Sequence, residues 1–432
     1  LFVALRGARH DAHEFVPQAV AAGAAAVLVD RALEVPDGVG VFRVEDTLAA
    51  LGALAAHHRR RYDVPVVAIT GSVGKTSTKE LVAAALRGTG CHVAATRGNL
   101  NNRVGVPMTL FTIGPEHAAV VIEIGMNVPG EIADLAAMVA PNVGVVTSVA
   151  EVHTEGVGGI EGVAREKGAL LEALDENAAA IWCADEALLA PYAERSRARA
   201  KIGYGAGEAA AVRLVRWELD GVRTRASYVL PHREKALELT LAMLGQAAAT
   251  NAAAALAVAA CVDPDRLEDA AAALGEVAPA AHRMVPIETA SGLLVIDDTY
   301  NASPRSAIAA LETASLLASA RGGRLVAVLG DMLELGAHAE RLHAQVGREA
   351  IRAGACALIA CGELMTHAGK AALAATMERS GQRAKVVLVR KPEDAAECAR
   401  ELAVRGDVVL VKGSRGMRME RVVDALSAEG GA

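Results

Sequence analysis

Residues Val66–Lys79 read VVAITGSVGKTSTK, an apolar strand that runs straight into a glycine-framed turn and then into an alanine-rich helix. Gly71 and Gly74 let such a turn expose its backbone N–H groups, Lys75 can bridge terminal phosphates, and the Thr76 hydroxyl can reach a magnesium ion. The spacing departs from the common phosphate loop, because the position that would carry the first glycine, counted back from Gly74, is Ile69. The shorter G-x-x-G-K-T form keeps the strand before it and the helix after it. A nucleoside triphosphate is therefore the leading ligand, with Gly71, Ser72, Gly74, Lys75, Thr76 and Ser77 as its cradle.

Working outward, the 432 residues are enough for two or three domains, each with its own core. Only 3% are aromatic while alanine dominates the 53% apolar fraction, so small side chains must fill those cores. The net charge is -7, and no dense Lys/Arg cluster interleaves with aromatics, which argues against a nucleic-acid partner. Cys91, Cys183, Cys261, Cys356, Cys361 and Cys398 are scattered without a C-x-x-C pair, so a reduced, cytoplasmic compartment is expected. Residues 239–262 carry no charge and are long enough to cross a bilayer. Thr240, Gln246, Thr250 and Asn251 interrupt the run, and no aromatic belt or basic flank marks its ends. A buried strand and helix is expected there, with no integral membrane segment. The sequence opens at Leu1 inside an apolar run; some N-terminal sequence is expected to precede it, and a targeting segment stays an open alternative.

Up to about Tyr62, short apolar runs alternate with helix-like segments, giving a small α/β domain over residues 1–62. The run HHRRRYDVP reads as a solvated linker closed by Pro65. From Val66 the strands VVAIT, HVAAT, AVVIEIG, VGVVTSV and AAIWC recur at crossover spacing, which implies a mostly parallel sheet covered on both faces. Around Asp220-Gly221 the period becomes two, predicting an antiparallel hairpin at the sheet edge. This central domain spans 63–284. After Met284 a new series begins with LLVIDD, RLVAVLGD, ALIACGE, AKVVLVR and DVVLVKG, a third α/β domain over 285–432. Its strands end in Gly, Asp or Lys at the edge where ligand crevices open.

Glu123 ends AVVIEIGMN, a strand apolar enough to be buried on both faces. A carboxylate there either caps the strand end or binds a cation, and the phosphate loop beside it favours a magnesium ligand. His153 follows the strand of VGVVTSVAEVH, beyond a third strand edge; a surface or satisfied core histidine is the plain alternative. Lys167 stands inside the apolar stripe Ile160, Val163, Ala164, Leu170, Leu171 and Leu174 of one helix. Its stem could cover the core while the amine snorkels. Held inward, its pKa would fall, and a neutral amine can react with carbon dioxide to give a carbamate able to bind magnesium. Asn99, Asn101 and Asn102 in GNLNNRVGVP offer neutral donors and acceptors to a polar substrate, or form Asn-rich turns. Lys412 follows the last strand and could reach substrate or nucleotide across a cleft.

Nine ordered segments between Phe2 and Glu420 resemble the Mur ligase family: FVALRG with HDAHEF, TGSVGKTSTK, GNLNNRVGVP, EIGMNVPGEI, AEVHTEGVGGIEGVAREK, HRM, DDTYNASP, LGDMLELG and KGSRGMRME. The resemblance implies an N-terminal domain holding a UDP-sugar substrate, a central ATPase domain and a C-terminal Rossmann-like domain. It implies an ATP-dependent amide ligase of peptidoglycan precursor synthesis, acting on UDP-MurNAc-tripeptide and D-alanyl-D-alanine through an acyl phosphate; a monomer is expected, though the sequence leaves oligomeric state open. On it, Lys75 and Thr76 bind phosphate and magnesium, and Glu123 and His153 hold metal, two magnesium ions being expected. Lys167 matches a lysine that is carbamylated. Asn251 falls near adenine, Arg283 near the phosphates, and Asp298, Tyr300 and Asn301 at the nucleoside.

The chain departs from the family's pattern in places. Gly245, Gln246, Ala247 and Ala248 replace a G-x-H-N segment, which removes two polar side chains near adenine. His282 stands where a glycine is usual, Ser303 where an asparagine is, and Ala12 where a glycine is. A folylpolyglutamate synthetase-like ligase is the rival enzyme, against which FVALRG and LGDMLELG argue. A non-catalytic nucleotide-binding relative is the other, and it would not need Glu123, His153 and Lys167 together.

Overall fold

The structure is a computed structural model that describes residues 1–7, 10–151, 158–231, 233–378 and 383–428. The first unit is built from β1 (Phe2–Val3), α1 (Val16–Ala21), β2 (Ala26–Val29), β3 (Gly40–Arg43) and α2 (Thr47–Arg59). Its strands form a parallel sheet in the order β1-β2-β3. The Asp46 side chain starts α2 by accepting from the N–H groups of Leu48 and Ala49.

The central unit begins with β4 (Val66–Thr70), α3 (Lys75–Gly88), β5 (Val93–Ala95), α4 (Gly105–Leu110), β6 (Ala119–Glu123) and α5 (Glu131–Val139). It continues with β7 (Val143–Val146), α6 (Gly159–Glu172), β8 (Ala179–Cys183), α7 (Ala190–Arg195) and β9 (Ala200–Gly205). The hairpin β10 (Val212–Asp220) and β11 (Arg223–Val229), then β12 (Leu237–Leu241), α8 (Gly245–Val262) and α9 (Leu267–Leu274) complete it. Among the described residues these strands make one sheet in the order β12-β11-β10-β9-β8-β7-β4-β6-β5. It is parallel from β10 to β5, and β11 and β12 add antiparallel edges, with Asp220 paired to Arg223 across the expected turn. The strand β9 lies outside the sequence expectation.

Every residue of β4, β6 and β7 is buried, which is why these strands read as unbroken apolar runs. Alanine and glycine let the helices on one face come close: a Cβ added at Gly88 of α3 would lie 2.6 Å from the Asp269 carbonyl of α9. Helix α8 is long and apolar enough to cross a membrane, yet its residues 252–259 are fully buried in the core beside α3, β10 and β11. The uncharged run is thus the strand and core helix expected of it.

The third unit comprises β13 (Val285–Glu288), β14 (Leu294–Asp298), α10 (Pro304–Ala320), β15 (Leu325–Gly330), α11 (Ala339–Arg352) and β16 (Ala355–Cys361). After these come α12 (Met365–Glu378), β17 (Lys385–Val389), α13 (Pro392–Leu402), β18 (Val408–Lys412) and α14 (Glu420–Ser427). Its sheet runs β13-β14-β18-β15-β16-β17, parallel except for β13, an antiparallel edge strand that the sequence reading did not contain. Ser303, the residue in place of the family's asparagine, caps α10 in a reciprocal box with Ser306.

One expectation is corrected here. The run HHRRRYDVP is not simply a solvated linker, because His57, His58 and Arg59 form the last turn of α2 and Arg59 is only 8% exposed. Its Nε donates to the Val139 carbonyl at 3.2 Å, Nη2 to Ala140 at 3.4 Å and Nη1 to Tyr62 at 2.8 Å. Val139 and Ala140 end α5, where unsatisfied carbonyls and the negative end of the helix dipole attract a cation. The basic run docks the first unit onto the second.

Candidate active site

Strand β4 lies between β6 and β7, and chain segments leave the carboxyl ends of all three toward the same crevice. The turn after β4 is possible only with glycine at two places. Gly71 has φ 147°, and a Cβ there would fall 1.9 Å from Thr147 Oγ1; Gly74 has φ 89°, and its Cβ would fall 2.9 Å from Asn251 Oδ1. The first site fits the turn against the segment after β7, the second against α8. Asn251 therefore sits beside the phosphate loop.

The loop is held from the β7 side. Ser72 N donates to the Ser148 carbonyl at 2.9 Å, Val73 N to Ser148 Oγ at 2.9 Å, and Thr147 Oγ1 to the Val73 carbonyl at 2.6 Å. Neither Thr147 nor Ser148 was among the expected site residues; the signal was two hydroxyls directly after an apolar strand beside the loop. Lys75 and Thr76 open α3, and Ser77 follows in its first turn. Lys75 Nζ donates to the Gly71 carbonyl at 2.7 Å, and burial lowers its pKa, with Glu123 opposing and Arg283 adding to the fall.

Thr76 Oγ1 donates to Glu123 Oε2 at 2.9 Å. Glu123 is 2% exposed at the tip of β6, and its other oxygen accepts from Asn101 Nδ2 at 2.7 Å. Arg283 reaches over from the segment that leads into β13, donating from Nη2 to Thr76 Oγ1 at 3.2 Å while its Cζ stacks 4.0 Å above the Tyr300 ring of the third unit. One hydroxyl thus meets groups from β6 and from the junction of the second and third units.

Lys167 lies inward on α6 and is 3% exposed, so the amine does not snorkel to water. Its pKa is held well below the usual lysine range, first by burial and then by the charge of Lys75, while Glu166 and Glu131 pull it upward. Both carboxylates are buried and anchored: Glu131 Oε2 accepts from Asn127 N at 2.7 Å and Glu166 Oε2 from Gly130 N at 2.8 Å. Neither was expected at the site. His153 lies outside the described residues. Among the described residues, no three His, Cys, Asp or Glu side chains gather as a metal cluster. The hard oxygen donors Glu123 and Thr76, side by side, the first buried and the second half-buried, fit a magnesium ion.

The remaining expected residues take mixed places. Asn102 caps the start of α4, its Oδ1 accepting from Gly105 N at 2.8 Å, and Asn99 is exposed. Lys412 is buried, with Nζ 2.6 Å from Asp298 Oδ2 and 2.8 Å from the Asn301 carbonyl. These three hold one another at the tips of β14 and β18. His282 has φ 62°, a left-handed conformation that explains why glycine suits this position, and its Nδ1 lies 2.8 Å from Asp297 Oδ2.

The family described as Mur ligase middle domain matches residues 69–259, and that described as Mur ligase, glutamate ligase domain matches residues 282–415. The UDP-N-acetylmuramoyl-tripeptide--D-alanyl-D-alanine ligase of Escherichia coli is 36% identical over 430 residues, spanning 100% of this chain and 91% of that relative. The chain belongs to the Mur ligase family. A crystal structure of MurF from Acinetobacter baumannii superposes on this Mur ligase with TM-score 0.88 at 29% identity, covering 99% of this chain and 90% of the other. MurF ligase from Thermotoga maritima in complex with ADP gives TM-score 0.85 at 27% identity, covering 99% and 94%. The three-domain expectation of a Mur ligase fold holds along the chain.

Proposed function

We propose that this Mur ligase joins D-alanyl-D-alanine to UDP-MurNAc-tripeptide, using ATP and giving UDP-MurNAc-pentapeptide, ADP and phosphate in peptidoglycan precursor synthesis. The observation that carries this reading is the full-length likeness to the Escherichia coli ligase, and the meeting of Thr76, Glu123 and Arg283 at one point supplies the chemistry. The tripeptide carboxylate attacks the γ-phosphorus of ATP, ADP leaves, and an acyl phosphate forms. The dipeptide amine then attacks the acyl carbon, and phosphate and a proton depart. Magnesium bound between Thr76 and Glu123 would neutralise phosphate oxygens. The loop N–H groups and Lys75 orient the triphosphate, and Arg283 brings a second fixed cation to the transferring group. The first unit, 1–62, would hold the UDP-sugar, 63–284 the ATP, and 285–432 would close over both. We place the reaction in the cytoplasm, where ATP is made available and the six free cysteines stay reduced.

The finer chemistry concerns Lys167. Its depressed pKa favours the free amine, which can add carbon dioxide with loss of one proton to give a carbamate. Glu131 and Glu166 oppose an added negative charge, so the modification would need a cation beside it. Lys167→Ala should lose at least about 100-fold in kcat, and bicarbonate or short carboxylic acids should restore part of it. Unaltered turnover in the variant would remove the carbamate.

Phosphate release, measured with UDP-MurNAc-tripeptide, ATP and D-alanyl-D-alanine and with each omitted in turn, tests the function itself. Release should require all three. Release that ignores the dipeptide, or turnover with a folate and glutamate instead, would refute the assignment.

A further inference from the structure

The segment Thr147–Glu151, which leaves β7, lies between two bodies. Toward the phosphate loop, Ser148 accepts from Ser72 N at 2.9 Å and Ala150 N donates to Ser72 Oγ at 3.0 Å. Toward the third unit, the Val149 carbonyl accepts from Arg305 Nη1 of α10 at 3.1 Å, and Glu151 pairs with Arg341 Nη2 of α11 at 3.1 Å. Arg305 also pairs with Glu186, just beyond β8. Along the chain the partners alternate, Ser148 and Ala150 facing the loop, Val149 and Glu151 facing the arginines. Neither arginine touches the phosphate loop.

We infer that Arg305 and Arg341 are positioning residues for the phosphate loop: seating the third unit fixes residues 147–151, and these hold the backbone of Ser72 and Val73, and with it the turn. Nucleotide affinity then depends on interdomain docking through a backbone segment as well as through Arg283. This rests on the nucleotide-binding part of the proposed function. Arg305 is the stronger of the two. Its carboxylate partner is 11% exposed against 34% for Glu151, while the two arginines are 49% and 58% exposed.

The test uses the full chain with Mg·ADP as the probe, read by calorimetry, together with hydrogen exchange of residues 71–76. Arg305→Ala should weaken ADP binding about tenfold and speed loop exchange, with the kinetic loss falling in the KM for ATP. Arg341→Glu and Glu151→Arg should each weaken it about three- to fivefold, and the double exchange R341E/E151R should recover most of the loss. A role confined to packing within α11 would show no such recovery. The inference is overturned if Arg305→Ala binds ADP and exchanges like the wild type, or if the double exchange is as weak as its two parts combined. Failure of the wild-type chain to bind ADP would remove the proposed function and this inference with it.

Discussion

Glu123 shows how one residue decides the chemistry. Taking a carboxylate out of water costs several kcal/mol, and hydrogen bonds from Thr76 and Asn101 return about 1.5–3 kcal/mol each. Those two bonds offset much of the cost, and Lys75 lies close enough to interact with the carboxylate. Asn101, expected to touch substrate, donates to this carboxylate. Glu123→Gln should cut kcat by at least about 100-fold at saturating magnesium and lower the melting temperature, since it leaves the buried Lys75 without the carboxylate that faces it. A kcat within about threefold of the wild type would exclude a metal role.

At the scale of elements, the turn between β4 and α3 and the loop after β15 carry the strongest constraints. Gly71→Ala puts a Cβ 2.9 Å from Ser148 N and closer still to Thr147, and adds strain at φ 147°. Nucleotide binding should fall beyond detection and stability by about 1–3 kcal/mol, measured by calorimetry and denaturant unfolding. The loop after β15 is tied to α11, where His343 Nε2 accepts from Met332 N at 3.0 Å while Nδ1 lies 2.6 Å from the Ala339 carbonyl. This fixes a neutral ring with the proton on Nδ1. Burial lowers its pKa from 6.5, so below that value the unfolded chain takes up a proton that the folded chain refuses. The stabilisation is full above the unfolded pKa and is lost as pH falls toward the folded one. The melting temperature should drop below about pH 6.5, and His343→Gln should flatten that slope. An identical slope in the variant would assign the acid sensitivity elsewhere.

Across the whole molecule, three α/β units meet through a few polar fastenings. Arg59 joins the first to the second, while Arg283, Arg305 and Arg341 join the third to the second. Arg59→Ala leaves the buried Val139 carbonyl at the end of α5 without its donor, at a cost of about 1–3 kcal/mol. Because the first unit would carry the UDP-sugar, KM for UDP-MurNAc-tripeptide should rise about fivefold or more while ADP affinity stays unchanged. Equal KM values would mean that the docking of α2 does not position that substrate.

The sequence by itself determined the three-unit α/β plan, because buried parallel strands are written as apolar runs and the change to period two marked the hairpin. It also determined the phosphate loop, whose glycines, lysine and threonine fall within the six residues 71–76. It did not reveal β9, an interior strand whose first half is partly exposed and whose pattern is weak, or β13, a short, partly exposed edge strand. Nor did it reveal the solvent-shielded place of Arg59, since a basic run reads as solvated until a helix end is found above it. Only tertiary structure decided that Asn101 serves Glu123, that Lys412 pairs with Asp298, and that Ser148, Glu131, Glu166 and Arg305 stand around the site. Those pairings join residues far apart in the chain, and local spacing carries no record of which distant carbonyl or carboxylate a side chain will meet.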